Sequence, residues 1–180
     1  MRRRDFITLV GGAAAGWPVA ARAQQPAMPV IGFLNPASPQ PWKDYVAGFR
    51  AGLKEAGYLD GQNVTIEFRW AEGHYDRLPE MAADLVRRKV AVLVATGGAP
   101  SVMAAKGATS TVPIVFTSGV DPIHAGFVTS LSHPGGNITG VNLFVATMES
   151  KRLGLLRALV PGVQFIAVLL NPNRPDHNEH

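Results

Sequence analysis

Three short polar segments hold the residues of this chain that are best suited to bind a small ligand. They cover residues 35–40, 96–101 and 117–121, and each follows a run of apolar residues. Hydroxyl and side-chain amide groups form hydrogen bonds with polar solutes, and a carboxylate attracts an ammonium group. The nine candidate ligand-binding residues are Asn35, Ser38, Thr96, Gly97, Gly98, Ser101, Thr117, Ser118 and Asp121.

The middle segment reads TGGAPS over residues 96–101 and has the clearest pattern. Its glycines allow the backbone to approach a ligand, and a helix that starts here directs its positive end toward a carboxylate. Thr96 and Ser101 add hydroxyl groups. The alternative is an ordinary turn between a strand and a helix, capped by Thr or Ser.

The third segment offers both hydrogen-bond donors and a negative charge. Thr117 and Ser118 are expected to donate hydrogen bonds, and Asp121 is expected to hold a ligand ammonium group. The alternative is that Asp121 and Pro122 only begin a turn. For three aromatic residues, packing inside the fold is the favoured interpretation and stacking on a ligand is the alternative: Trp42, Tyr45 and Trp70.

The sequence lacks the short motifs of the common enzyme chemistries. It has no G-x-S-x-G, no G-x-x-x-x-G-K-[ST], no G-x-G-x-x-G after the first apolar run and no H-E-x-x-H. His74, His124 and His133 are not spaced as metal ligands. We therefore predict a protein that is not an enzyme and uses no metal or cofactor. An exported α/β enzyme that acts on a small metabolite is the alternative.

The positive charge of the chain is concentrated at its start. The 180 residues carry a formal net charge of +4, and 47% of them are hydrophobic. Residues 1–23 hold four arginines and one aspartate, so the rest of the chain is nearly neutral. A neutral body gives no electrostatic basis for a nucleic-acid partner. The absence of cysteine excludes a disulfide framework.

Residues 1–23 are predicted to be an export signal peptide. Three arginines precede an apolar stretch, residues 6–20, and Ala21-Arg22-Ala23 supplies the small-x-small pattern for cleavage before Gln24. The apolar stretch is too short to span a bilayer, which takes roughly 20 residues. We expect a periplasmic protein, soluble after cleavage, with no stable membrane insertion. The alternative is an N-terminal amphipathic helix of the mature fold.

Strand and helix patterns alternate along the rest of the chain. The predicted strands are residues 30–34, 64–68, 90–95, 112–116, 138–143 and 165–170, and the predicted helices are residues 42–56, 76–89, 99–109 and 147–159. Asp76 is expected to cap the second helix, with Pro79 in its first turn. This alternation predicts an α/β fold with a parallel sheet flanked by helices. The three polar segments then converge at the carboxyl ends of the strands, where such sheets bind ligands.

Two long stretches of the chain read GLKEAGYLDGQNVTIEFRWAEGHYDRLPEMAADLVRRKV and PIVFTSGVDPIHAGFVTSLSHPGGNITGV. These stretches resemble the exported substrate-binding proteins of ABC transporters, in the group that includes tryptophan and tyrosine binders. The leader RRRDFITLVGGAAAGWPVAARAQQ is similar to bacterial leaders of that group, and its RRDFI resembles a twin-arginine export signal. The resemblance implies a periplasmic-binding-protein-like fold, in which two α/β lobes enclose a ligand.

The resemblance also implies the partners and the domain organisation. The partners are a small organic solute, such as an amino acid or a related compound, and an inner-membrane ABC permease. Because family members are longer, we expect a complete first lobe and a partial second lobe, as in a C-terminally truncated protein. The predicted division is an export signal at 1–23, a linker at 24–29, a first lobe at 30–120, a crossover or hinge at 121–137, the start of a second lobe at 138–172 and a tail at 173–180.

Overall fold

Five parallel strands form one sheet in the computed structural model of this chain, which describes residues 28–145, 148–160, 162 and 164–167. The strands are β1 (Val30–Asn35), β2 (Thr65–Trp70), β3 (Val92–Ala95), β4 (Ile114–Ser118) and β5 (Ile138–Asn142). Their spatial order is β2-β1-β3-β4-β5, so β2 lies at an edge, as its alternating apolar and polar residues indicate. The predicted α/β fold class is confirmed.

Four α-helices accompany the sheet in the described part of the chain. They are α1 (Lys43–Glu55), α2 (Leu78–Arg87), α3 (Ala99–Ala108) and α4 (Glu149–Leu159). Gly57 follows α1 with φ +85°, a conformation that glycine adopts readily, and therefore ends the helix as predicted. Pro79 occupies the first turn of α2, which is also as predicted.

The start of α2 differs from the expectation in one respect. Asp76 lies inside a short 3-10 helix, Tyr75–Arg77, and the residue that precedes α2 is Arg77. The 3-10 helix runs directly into α2, and its carbonyls accept the first backbone N–H groups, including that of Leu78. The prediction that Asp76 caps α2 is therefore wrong.

Apolar side chains pack on both faces of the sheet. Leu34, Leu93 and Phe116 belong to a buried cluster that also contains the inward side chains of α2 and α3. Phe33 and Val94 belong to a second cluster, against which α1 packs. Burial of one such side chain is worth roughly 1.5–3 kcal/mol. Coverage on both faces explains the continuous apolar runs of the central strands.

The last strand extends the first sheet. The sequence analysis assigned residues 138–143 to the start of a second lobe, whereas the structure pairs β5 in parallel with β4. Gly140 explains the close pairing, because a Cβ atom there would collide with the carbonyl and the ring of Phe116. Ile138 completes the cluster of α2 and α3. The first α/β unit therefore reaches Asn142, and the division of the chain into two lobes stays a prediction.

Several predicted segments lie outside the described residues. They are the export signal at 1–23, residues 24–27 of the linker, residues 168–172 and the tail at 173–180. Residues 165–167 of the predicted last strand are described and have no regular secondary structure. Among the helices that the structure describes, none has the length and apolar character needed to cross a membrane.

Candidate functional site

The carboxyl ends of the parallel strands meet along one border of the sheet, called the carboxyl edge below. Asn35 is the last residue of β1, Thr96 directly follows β3, and Ser118 is the last residue of β4. All three polar side chains are buried. A buried polar group is costly without a hydrogen bond. The hydrogen-bond partners of these three side chains therefore show which donors and acceptors are used within the protein and which are left for a ligand.

Asn35 and Thr96 form a buried hydrogen-bonded pair across β1 and β3. The side-chain nitrogen of Asn35 donates to the hydroxyl oxygen of Thr96 over 2.9 Å. The side-chain oxygen of Asn35 accepts a hydrogen bond of 2.7 Å from the backbone N–H of Ala37. The Thr96 hydroxyl is thus held as an acceptor and keeps its own hydrogen to donate to a further group.

The loop that follows Thr96 requires glycine for its shape. Gly97 has φ +84° and Gly98 has φ +117°, both in the region that disfavours residues with a side chain. A Cβ atom on Gly97 would lie 2.6 Å from Cδ of Pro36. These glycines place the start of α3 at the carboxyl edge, where its first-turn N–H groups have no acceptor within the helix.

The hydroxyl of Ser101 forms hydrogen bonds within this loop. This hydroxyl is buried and lies 2.6 Å from the carbonyl oxygen of Thr96 and 2.9 Å from that of Gly98. A hydroxyl has a single hydrogen, and these carbonyls accept it. Ser101 therefore ties α3 to the loop that carries Thr96.

The third predicted segment turns at the end of β4. The hydroxyl oxygen of Ser118 accepts a hydrogen bond of 3.3 Å from the backbone N–H of Val120. One carboxylate oxygen of Asp121 accepts hydrogen bonds of 2.8 Å and 3.2 Å from the N–H groups of Ile123 and His124. Asp121 thus begins a turn, which was the alternative interpretation, and its side chain is exposed to solvent.

Ser38 and Thr117 differ in their relation to the carboxyl edge. Ser38 is exposed in the loop after β1. Thr117 lies within β4, and side chains alternate along a strand, so it faces the α1 side while Ser118 faces the side of α2 and α3. The structure therefore brings Asn35, Thr96 and Thr117 to one border on the α1 side of the sheet, with Ser118 at the same border on the side of α2 and α3. Ser38 lies on the loop outside.

The sequence analysis missed Asn142, the last residue of β5. It pairs with Ser118 in the register of the sheet, and its side-chain oxygen accepts a hydrogen bond of 2.8 Å from the N–H of Phe144. A signal was present in the sequence, since Asn35, Ser118 and Asn142 are each polar residues that close an apolar strand. The signal went unused because the strand was assigned to another lobe.

The three aromatic candidates pack against other aromatic residues. The ring of Trp70 lies 5.6 Å from that of Phe33 and is stacked on Phe68 at 6.0 Å. The rings of Trp42 and Tyr45 lie 5.0 Å apart. Packing inside the fold, the favoured interpretation, is confirmed for Trp70, which contacts the cluster beneath α1, whereas Tyr45 is 68% exposed.

An ion-pair cluster joins β2 to the end of α2. Arg69 contacts Asp84 at 2.7 Å and Glu67 at 3.1 Å, and Arg88 contacts Asp84 at 3.0 Å. Hydrogen bonds from Arg69 and then from Arg88 hold the pKa of Asp84 below its ordinary value, against the opposing effect of desolvation. The basic residues at the end of α2 therefore belong to a solvated helix terminus, as interpreted from the sequence.

A groove of about 650 Å³ runs between α2 and α3, beside the loop that follows β4. The lining of this groove is mainly apolar and includes Tyr75, Pro79, Pro100, Met103, His124 and Phe127. None of the nine predicted ligand-binding residues lines the groove. The candidate site is placed at the carboxyl edge because buried polar groups converge there. Within the described residues, no group of three His, Cys, Asp or Glu side chains is arranged to hold a metal ion.

The sequence matches one protein family over most of its length. Residues 31–178 match the family described as ABC transporter substrate binding protein. A curated relative, the tyrosine-binding protein of Clostridioides difficile (strain R20291), is 36% identical over 124 residues. The chain belongs to the family of ABC transporter substrate-binding proteins, which confirms the resemblance seen in the sequence.

Solved structures of similar proteins agree with this membership. A ligand-free, open substrate-binding protein with adhesive properties from Clostridium difficile is 30% identical, with a TM-score of 0.62 over 74% of this chain. A conserved domain protein from Vibrio cholerae is 27% identical over 76% of this chain, with a TM-score of 0.66. An ABC domain from Streptococcus pneumoniae in complex with L-Trp is 33% identical over 63% of this chain, with a TM-score of 0.58.

The chain spans only part of the length of these relatives. It covers 35% of the curated tyrosine-binding protein and between 38% and 45% of the three solved chains.

Proposed function

We propose that this protein is the periplasmic solute-binding component of an ABC importer. It captures a small organic solute, an amino acid or a related compound, in a cleft between two lobes and delivers it to an inner-membrane permease. The observation that carries this proposal is the row of buried polar side chains at the carboxyl edge, next to the start of α3. The family membership and the relatives that bind tyrosine and tryptophan support it.

The edge provides uncharged donors for one end of an amino acid. The hydrogen of the Thr96 hydroxyl and the first-turn N–H groups of α3 suit a carboxylate, because the helix dipole is positive at that end. Pro100 in that turn has no N–H to donate. In this proposal the free carboxylate oxygen of Asp121 receives the ammonium group, while its other oxygen keeps the turn. The remaining predicted residues, Asn35, Ser38, Gly97, Gly98, Ser101, Thr117 and Ser118, shape or line the site.

The protein acts by binding and not by catalysis. A buried donor set at the end of a sheet holds a ligand without a nucleophile, a general base or a metal, and the relatives are described as binding proteins. The solute is captured reversibly in the periplasm and is released unmodified. Cleavage of the signal peptide before Gln24 releases the soluble protein to that compartment.

Native mass spectrometry and calorimetric titration with the twenty amino acids test the proposal, with the protein carrying a complete second lobe. We expect one or a few amino acids to bind and to be recovered unmodified. Asp121→Asn keeps the oxygen that caps the turn and removes the charge, so it should lower affinity without lowering the melting temperature. Chemical turnover of a bound solute, or no binding at all, would contradict the proposed function.

A further inference from the structure

One buried side-chain amide at the carboxyl edge has no hydrogen-bond partner among the described residues. The oxygen of the Asn142 side chain is engaged by the N–H of Phe144 at 2.8 Å. Its amide nitrogen is shielded from solvent, and no acceptor for it lies among the residues that the structure describes. Buried donors are nearly always paired in folded proteins, so this nitrogen marks a place where an acceptor is expected.

The position of Asn142 separates it from the part of the site that suits a carboxylate. Thr96 follows β3, whereas Asn142 ends β5, two strands away in the sheet. Neighbouring strands are about 4.8 Å apart, so the two residues are separated by roughly 10 Å across the edge. One carboxylate cannot bridge this separation. Side chains alternate along a strand, so Asn142 lies with Ser118 on the side of α2 and α3, whereas Thr96 lies on the α1 side. The amide of Asn142 is therefore directed at a different part of a solute bound along the edge.

The segment that follows Asn142 packs at the end of β4, where the backbone N–H of Leu143 donates to the carbonyl of Ser118 over 2.8 Å. Phe144 has φ +49°, a left-handed conformation that is uncommon for a bulky residue. Val145 packs at the end of β4, where its Cβ lies 3.3 Å from the position that a Cβ on Gly119 would occupy. Backbone strain of this kind is concentrated at functional sites.

On the basis of the proposed function, we infer that Asn142 is a specificity residue whose amide donates to an oxygen at the end of the solute remote from its carboxylate. L-Tyrosine carries such an oxygen in its phenol group, and L-phenylalanine differs from it only in lacking that hydroxyl. A site that donates to a ligand oxygen rejects the analogue without it, because the donor is then left unpaired. The indole N–H of tryptophan is a donor only and cannot serve as the acceptor.

Calorimetric titration of L-tyrosine and L-phenylalanine tests the inference, with the protein carrying a complete second lobe. Wild type should prefer tyrosine by about tenfold or more, which corresponds to about 1.4 kcal/mol. Asn142→Ala should remove the preference by weakening tyrosine alone. Asn137→Ala is the matched control, because the Asn137 amide is satisfied by the carbonyl of Val112 at 2.6 Å near the opposite end of β5, and it should keep the preference.

An unchanged ratio of the two affinities in Asn142→Ala would overturn the inference, as would equal affinities in wild type. A parallel loss of both ligands would assign Asn142 a structural role and would also overturn it. If Asn142→Ala does not fold, Asn142→Ser provides the same comparison with a smaller loss of polarity. Failure of wild type to bind any of the twenty amino acids would instead overturn the proposed function itself.

Discussion

The buried pair of Asn35 and Thr96 shows how a single side chain at this edge serves both the fold and the ligand. Asn35 uses its amide to orient the Thr96 hydroxyl, and its oxygen fixes the backbone at Ala37. The orientation is set before any ligand arrives, which lowers the entropy cost of binding. Substitutions at the edge therefore act on stability and affinity together, and a test has to separate the two effects.

Thr96→Ala is expected to weaken both folding and binding. It leaves the amide of Asn35 buried without its acceptor, which costs about 1–3 kcal/mol of folding free energy. The lost hydrogen bond to a charged ligand group is worth about 1.5–3 kcal/mol, a tenfold to hundredfold loss of affinity. Denaturant unfolding and calorimetry measure the two effects.

Thr96→Ser is the matched control, since it retains the hydroxyl. It should recover most of the affinity and most of the stability. Equal affinities for Thr96→Ala and wild type, in folded protein with a complete second lobe, would remove Thr96 from the site.

Gly97→Ala is expected to destabilise the protein by about 1–3 kcal/mol, because alanine is strained at φ +84°. The added Cβ would also meet Cδ of Pro36 at 2.6 Å. Gly107→Ala is the control: it lies within α3, and a Cβ there meets no atom within 4 Å. It should stabilise the helix by about 0.5–1 kcal/mol. Thermal unfolding compares the two, and a neutral Gly97→Ala would show that the loop adapts.

At the scale of the elements, the contact between β2 and α2 combines apolar packing with charge. Val64 and Ile66 are buried around the start of β2, while Arg69 near its end reaches across to Asp84 on α2. Edge strands are exposed to unwanted pairing, and charged side chains discourage it. The ion pairs thus hold α2 against an edge strand whose more solvent-exposed face carries charged side chains.

Acid is expected to remove the contribution of Asp84. Its pKa in the folded protein is lowered, chiefly by the hydrogen bond from Arg69, so its ionised form favours the folded state. This contribution is fully present above the pKa of the unfolded chain, about 3.9, and is lost as the pH falls through the lower folded value.

Asp84→Asn therefore should lower the melting temperature at pH 7, and the difference from wild type should shrink below about pH 4. Thermal melts between pH 7 and pH 2 measure it. A difference that stays constant down to pH 2 would show that protonation of Asp84 is not linked to folding.

At the scale of the whole molecule, apolar surface remains uncovered in the described part of the chain. On α4, Leu155 is 65% exposed and Leu159 is 78% exposed, and on β5 Val141 is 57% exposed. Large apolar surfaces of this kind mark an interaction site or an aggregation hazard. We expect a complete second lobe to cover α4.

The 180-residue chain is expected to bind solute more weakly than a version extended by a complete second lobe. A closed site buries about 70–90% of a small ligand, and one lobe leaves one side in water. A loss of about 4 kcal/mol of contact energy corresponds to roughly a thousandfold in affinity. Calorimetry and thermal melting of both versions measure this. Equal affinity and equal melting temperature would show that the 180 residues suffice.

The order of strands and helices in the first unit was predictable from local pattern. Apolar runs such as residues 30–34, stopped by Asn35 and Pro36, indicate strands, and Gly57 ends α1 because of its backbone freedom. Side-chain periodicity and glycine or proline chemistry act over a few residues, so they are readable without the fold. The gathering of Asn35, Thr96 and Ser118 followed from a general rule for parallel sheets.

Only the tertiary structure decided which groups meet. The pairing of β5 with β4, the engagement of Thr96 by Asn35 and the unpaired amide of Asn142 depend on contacts between residues far apart in sequence. The roles of Ser101 and Asp121 as loop and turn anchors also became visible there. The physical reason is that a residue type states which hydrogen bonds a group is able to make, whereas the packing of distant strands determines which of them are made.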